Sequence, residues 1–78
     1  MATALNVLVE RVRVRRRLLP PHARRRLRER AGVSQGEIAS VLGVTRSTVC
    51  RWESGRREPR GETLRAYVRV LDRLARAQ

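Results

Sequence analysis

Three polar side chains on one short segment have the types and the spacing needed to bond the edges of DNA bases. Arg46, Ser47 and Arg51 fall on one side of a helix through residues 45–54 at about 100° per residue, and Trp52 falls on the other. An arginine fork can bond guanine O6 and N7 together, and a serine is short enough to let the helix approach. We therefore predict base contacts from these three residues, with phosphate contact alone as the alternative for the two arginines.

A helix-turn-helix pattern over residues 35–54 would hold this side in position. Ala39 is small where the second helix must pass close over the first, and Gly43 supplies the turn. The apolar positions expected to be buried between the helices are Ile38, Leu42, Val44, Val49 and Trp52. A complete set of such positions is far more specific than one glycine, so the segment predicts a DNA-binding module.

The arginine-rich N-terminal segment, residues 1–20, is predicted to be helical. Apolar side chains fall at helical spacing within residues 4–19, namely Leu5, Leu8, Val9, Val12 and Leu19. Val12, Val14 and the arginines between them also alternate, so a strand is the alternative. Pro20 and Pro21 end the segment, because a residue that precedes proline is pushed out of the helical region.

The next two helices are marked by their terminal residues. Pro21 suits the first position of a helix that stops at Gly32. Ser34 and Glu37 have the spacing of a capping box, which opens a helix that ends near Gly43.

Two more helices complete the predicted bundle. Thr45 caps a helix that stops at Ser54 and Gly55, and the last helix follows the loop 56–60. The last helix carries one apolar face, formed by Leu64, Tyr67, Val68, Leu71 and Leu74, with the Tyr67 hydroxyl expected at its edge. Residues 1–78 are thus expected to form a single all-α domain, with four helices from Pro21 onward plus the N-terminal helix.

Charge points to a polyanionic partner. The 78 residues include 19 arginines, no lysine and 7 acids, which gives a formal net charge of +12. Nucleic acid is the partner that this charge favours, and the helix-turn-helix pattern makes double-stranded DNA the expected one; arginine in place of lysine also fits a GC-rich genome. A monomeric domain of this size is only marginally stable, so formation of a homodimer would stabilise it.

Other classes of protein find no support in the residues. Cys50 is the only cysteine in the sequence and His22 is the only histidine. We therefore expect no internal disulfide, no metal site and no cofactor. No nucleophile has a base near it in sequence, which argues against an enzyme. Asn6 and Glu10 interrupt the first apolar run, so we expect no signal peptide or membrane span and a cytoplasmic, nucleoid-associated protein.

The segment GVSQGEIASVLGVTRSTVCRWESGRREP resembles the Cro/Xre-type, lambda-repressor-like helix-turn-helix family of bacteria and phages. The resemblance covers about residues 22–75. It implies that Gln35 clamps a phosphate and packs on the recognition helix, that base reading falls to Arg46, Ser47 and Arg51 by position, and that Arg28 pairs with Glu53. It further implies phosphate contacts from Ser34, Thr45, Ser54 and Arg56, with Arg57 and Arg60 as additions. The family's usual domain has a further helix after the fourth, and we expect the N-terminal segment to take its place.

These observations favour a sequence-specific, DNA-binding transcriptional regulator of prokaryotic or phage origin. One alternative is an antitoxin or accessory factor that captures a protein partner through the N-terminal segment and autoregulates. Another is a non-specific architectural or RNA-binding protein, for which the charge alone would suffice. The N-terminal segment itself is either an arm that follows phosphates or the seam of a dimer, and the sequence leaves both open.

Overall fold

The computed structural model describes residues 3–77, and helices account for all of the regular structure in that range. Their bounds are α1 (Ala4–Arg17), α2 (Pro21–Arg30), α3 (Gln35–Leu42), α4 (Arg46–Ser54) and α5 (Gly61–Ala77). The all-α prediction is confirmed, and residues 4–17 of the N-terminal segment form a helix rather than a strand.

Local residues begin and end the two helices of the helix-turn-helix as the sequence predicts. Ser34 Oγ accepts from the Glu37 backbone N–H at 3.0 Å, and the Ser34 N–H donates to Glu37 Oε1 at 2.9 Å, which completes the capping box. Thr45 Oγ1 accepts from the Thr48 N–H at 3.2 Å and so caps α4. Between these helices Gly43 has a φ of 69°, a left-handed conformation that glycine adopts without strain.

The main core lies where α3, α4 and α5 meet. Its buried members are Ile38, Ala39, Val49, Trp52, Tyr67 and Leu71. The Trp52 and Tyr67 rings lie 4.8 Å apart between centroids in a tilted arrangement, so α4 is fixed to α5 by its largest side chain. The half-buried side chains of Leu42 and Val44 pack against this cluster, so the predicted contacts of the helix-turn-helix are all present.

The prediction for the Tyr67 hydroxyl is wrong. Tyr67 is 1% exposed, and within residues 3–77 its hydroxyl is a buried side-chain atom with no hydrogen-bond partner. Burial raises the pKa of Tyr67 to about 12, and the negative charge of Glu53 acts in the same direction. The reason for the error is that Trp52 covers the ring from α4, which a reading of α5 alone does not include.

Helix α1 packs on α5 through Val14, which is not one of the apolar residues that the sequence analysis placed at helical spacing. Val14 is its buried residue and forms a second cluster with Leu64 and Val68. An ion pair joins the same helices, with Arg17 Nη2 at 2.7 Å from Asp72 Oδ2. The helix ends at Arg17, ahead of the two prolines that were predicted to end the segment, and Leu18 is already extended.

Candidate nucleic-acid interface

Helix α4 has one anchored side and one exposed side. Val49, Trp52 and Glu53 are buried, with Val49 completely so. The opposite side is exposed and consists of Arg46, Ser47, Cys50, Arg51 and Ser54. This division is the one predicted from helical spacing, and it leaves the three predicted base-contacting residues in solvent on a helix fixed from behind.

A shallow groove of about 340 Å³ runs along the exposed side of α4. It is lined by Gln35, Arg46, Ser47, Cys50, Arg51 and Arg56. The groove therefore collects all three predicted base-contacting residues with two of the predicted phosphate-contacting ones. Arg57 and Arg60 line a neighbouring groove of about 600 Å³ together with Arg56, and Ser34, Thr45 and Ser54 line neither.

Behind the groove, a largely buried ion pair joins α2 to α4. Arg28 Nε lies 2.6 Å from Glu53 Oε2, and Arg28 Nη2 donates to Glu53 Oε1 at 2.9 Å, so the contact is bidentate. Arg28 Nη1 also donates to the Val33 carbonyl at 2.9 Å, and Gln35 Nε2 donates to Glu53 Oε1 at 3.0 Å. The pair that the resemblance implied is thus present in the structure and is extended by Gln35.

The charges of this pair are well matched. Burial raises the pKa of the Glu53 carboxyl, but the hydrogen bonds from Arg28 and Gln35 outweigh it, so the pKa is lower than usual. The bond to Glu53 in turn holds the pKa of Arg28 above its ordinary value. Both groups are therefore charged at neutral pH, and the pair fixes the orientation of α4 on α2.

The guanidinium groups of the groove are uncommitted. Within residues 3–77, the guanidinium groups of Arg46, Arg51 and Arg56 form no intramolecular ion pair or hydrogen bond, in contrast to that of Arg28. Three such positive charges along one groove repel each other unless a polyanion lies between them. A helix that reads DNA bases needs support from behind and an exposed side with hydrogen-bonding groups, and α4 has both.

Comparison with protein families decides the class. The model of a helix-turn-helix family, the Cro/C1 type, matches residues 25–75, well over half of the chain. The chain belongs to this helix-turn-helix family. The match includes α3 and α4 and most of α2 and α5, whereas α1 lies outside it.

The chain is also similar, over part of its length, to part of a much longer curated protein. That protein, from Methanoregula boonei, is provisionally named an HTH-type transcriptional regulatory protein, and it is 44% identical over 48 residues. The match covers 62% of this chain and 14% of the relative. No solved structure matches the chain.

Gln35 is held in a defined orientation by this helix-turn-helix domain. Its Nε2 donates one hydrogen to Glu53 at 3.0 Å, and an amide nitrogen carries two. The second hydrogen is available to a ligand in the groove, because Gln35 is only half-buried. Glu53 therefore connects the stability of the domain with the position of a residue that the resemblance assigns to phosphate.

The hydroxyl groups predicted to contact phosphate differ in what they can still donate. Ser34 Oγ accepts from the Glu37 N–H, which leaves its own hydrogen free to donate. Thr45 Oγ1 lies 2.9 Å from Thr48 Oγ1, and either hydroxyl can be the donor. Ser54 Oγ donates to the Arg51 carbonyl at 3.1 Å, so contact between its hydrogen and a phosphate requires that bond to break.

Arg24 is the residue of this site that sequence reasoning missed. It is 4% exposed; its Nε donates to the Leu19 carbonyl, its Nη1 to the Trp52 carbonyl at 3.1 Å and its Nη2 to Glu58 Oε2 at 3.0 Å. Arg24 thus joins the linker before α2, the end of α4 and the loop before α5. Its position four residues before Arg28, on the same side of α2, was the available sign that both face inward.

Neither a metal site nor a membrane-spanning helix is found within residues 3–77. No group of three or more His, Cys, Asp or Glu side chains in this range is placed to hold a metal ion. None of the helices in the described range is both long enough and apolar enough to cross a membrane.

Proposed function

We propose that this helix-turn-helix protein is a sequence-specific transcriptional regulator that reads the major groove of double-stranded DNA with α4. The observation that carries the proposal is the exposed side of α4, where Arg46, Ser47 and Arg51 lie together on a helix anchored by Trp52. An α-helix fits the major groove, where arginine can bond guanine and serine can bond several base edges.

Phosphates on either side of the reading helix are bound by the flanking segments in this proposal. Arg56, Arg57 and Arg60 follow α4 in one loop, and their charges suit the DNA backbone. Ser34 and Gln35 lie at the start of α3 and Thr45 at the start of α4, where the free backbone N–H groups and the helix dipole also favour an anion. Such contacts set the register of α4 on the duplex but do not select its sequence.

Regulation of transcription is the biological activity that we infer for this DNA binding. It is supported by the name of the Methanoregula boonei relative and by membership of the helix-turn-helix family. The site of action in this proposal is the nucleoid, in the cytoplasm of a prokaryote or of a phage-infected cell. The net charge of +12 supplies attraction to any duplex, and the α4 side chains supply the preference for one sequence.

Selection of binding sites from a randomised duplex pool, at a salt concentration of about 0.15 M, tests this proposal, because that salt damps the non-specific phosphate attraction. We expect one motif to be enriched. An enriched palindrome with half-sites about 10 base pairs apart would show that two copies bind, and a single short motif would show one. Equal recovery of unrelated sequences would contradict sequence-specific regulation and favour an architectural protein.

A further inference from the structure

The exposed apolar surface of this protein is concentrated on α1, away from α4. Of the seven large hydrophobic side chains exposed within residues 3–77, five belong to α1: Leu5, Val7, Leu8, Val9 and Val12. Leu5 and Leu8 are more than half exposed. Single exposed apolar residues are ordinary on a protein surface, but a contiguous set on one helix is typical of an interaction site.

Four of these five side chains lie away from the contact that holds α1 on the fold, whereas Val7 falls on the side of Val14. Counting about 100° per residue from the buried Val14, Leu5, Leu8, Val9 and Val12 fall on the opposite side of the helix. The packing of α1 against α5 through Val14 therefore leaves this side uncovered. The helix has two apolar sides, and the fold uses only one of them.

A groove between α1 and the first turn of α5 continues this uncovered surface. It has a volume of about 580 Å³. Its apolar lining consists of Val7, Leu8, Val12, Val14 and Leu64. We call it the α1–α5 groove. Leu8 and Val12 belong both to the groove and to the exposed side of α1, so the two form one continuous surface.

The charges around the α1–α5 groove select the partner. Five arginines line it, namely Arg11, Arg15, Arg16, Arg60 and Arg65, against the single acid Glu62. The groove thus combines apolar lining residues with a net charge of +4. We propose that the α1–α5 groove binds the apolar face of an acidic amphipathic helix from a protein partner.

A second copy of this chain fits the groove less well. Residues 4–17 of α1 contain five arginines and one glutamate, so two α1 helices packed on each other would bring like charges together. Nucleic acid would satisfy the arginines but would leave the valines and leucines of the lining against phosphate and sugar. An acidic helix with an apolar face matches both features, as in other helix-in-groove complexes.

The proposal goes beyond DNA binding and does not rest on it. The probe is a labelled synthetic peptide of about 18 residues, five helical turns, with leucines on one face, glutamates beside them and alanine and glutamine behind. We expect fluorescence anisotropy to show binding to the full chain at about 50 mM salt, weakened as salt screens the charges. The same peptide with lysine in place of each glutamate should not bind.

Two variants and one control locate the binding. Leu8→Asp with Val12→Asp should weaken peptide binding by about tenfold or more, because each buried aliphatic side chain contributes strongly to affinity. Val41→Asp on α3 is the matched control, since Val41 is 72% exposed and lies outside the groove, and it should leave binding unchanged. If circular dichroism shows the first variant unfolded, Arg11→Glu with Arg15→Glu replaces it, with the same expected loss.

Several results would overturn the proposal. Absence of peptide binding would do so, as would equal binding of the lysine peptide or peptide binding that survives the groove variants. A dimer of the chain in sedimentation equilibrium that Leu8→Asp dissociates would assign the surface to a second copy. A duplex that shifts the Leu8 and Val12 methyl resonances when the acidic peptide does not would assign it to DNA.

Discussion

Removal of either partner of the Arg28–Glu53 ion pair should cost a large part of the stability of the fold. Their side chains are only 11% and 3% exposed, and two hydrogen bonds join them. A buried charge that loses its partner destabilises a protein by about 3–5 kcal/mol. At roughly 0.05–0.15 kcal/mol per residue, a chain of this length has a total stability of about 4–12 kcal/mol. The loss is thus a quarter or more of the total.

Unfolding experiments on a double-mutant cycle measure this contribution. Glu53→Met should lower the melting temperature by about 12–40 °C, given about 4–8 °C per kcal/mol for a domain of this size. Arg28→Met should lower it comparably, because it also removes the donor to the Val33 carbonyl. The double variant should cost less than the sum of the two, since neither charge is then left unpaired.

An exposed ion pair on the same helix provides the control. Arg25 and Glu29 lie 3.5 Å apart with side chains 62% and 53% exposed, so Arg25→Met should change stability by about 0.5 kcal/mol or less. The reasoning would be refuted if Glu53→Met melted within about 4 °C of the unmodified protein, or if the double variant equalled the sum of the single ones.

Three further predictions concern acid stability, two glycines and the DNA contacts. The pKa of Glu53 is lower in the folded protein than in the unfolded chain, where it is about 4.3. Ionised Glu53 therefore stabilises the fold above about pH 4.3, and this stabilisation is lost as the pH falls through the folded pKa. Glu53→Gln should accordingly flatten the pH dependence of urea unfolding between these two pKa values. Gly36→Ala, at a helical position with no close neighbour, should stabilise the fold by about 0.4–1 kcal/mol in thermal unfolding, whereas Gly43→Ala, at a φ of 69°, should destabilise it by about 1–2 kcal/mol. In binding titrations, Arg46→Ala should relax the base preference at one position of the site and reduce the binding free energy by about 1–3 kcal/mol. Arg56→Ala should instead weaken binding to all duplexes alike and reduce the slope of log affinity against log salt concentration by about 1.

The helix-turn-helix is predictable from sequence because its determinants are local. Ser34 and Thr45 begin helices through bonds to backbone groups three residues away, and Gly43 allows the left-handed turn by itself. The two sides of α4 follow from helical spacing once these ends are fixed. Such features depend on neighbours in the chain, so the printed sequence contains nearly all the information they need.

The environments of Arg24 and Tyr67 depend instead on how distant segments pack. Arg24 is buried because the linker before α2, the end of α4 and Glu58 all converge on it. The Tyr67 hydroxyl is buried, without a hydrogen-bond partner among residues 3–77, and the Trp52 ring that packs on Tyr67 comes from another helix. Likewise the sequence showed apolar residues along α1 but not that Val14 is the one α5 would bury.

The arginines of this chain therefore divide into groups that the net charge alone does not distinguish. Arg24 and Arg28 point inward from α2 and have carboxylate partners, so they stabilise the fold and add little to the external field. Arg46 and Arg51 lie beside polar neighbours, as contact with base edges requires, whereas Arg11 and Arg15 lie beside valine and leucine. Arg60 lines both the α1–α5 groove and the groove of about 600 Å³ that Arg56 and Arg57 also line, beside the α4–α5 loop. A partner bound along α1 and a phosphate bound beside that loop would thus compete for one guanidinium, which links the two proposed surfaces.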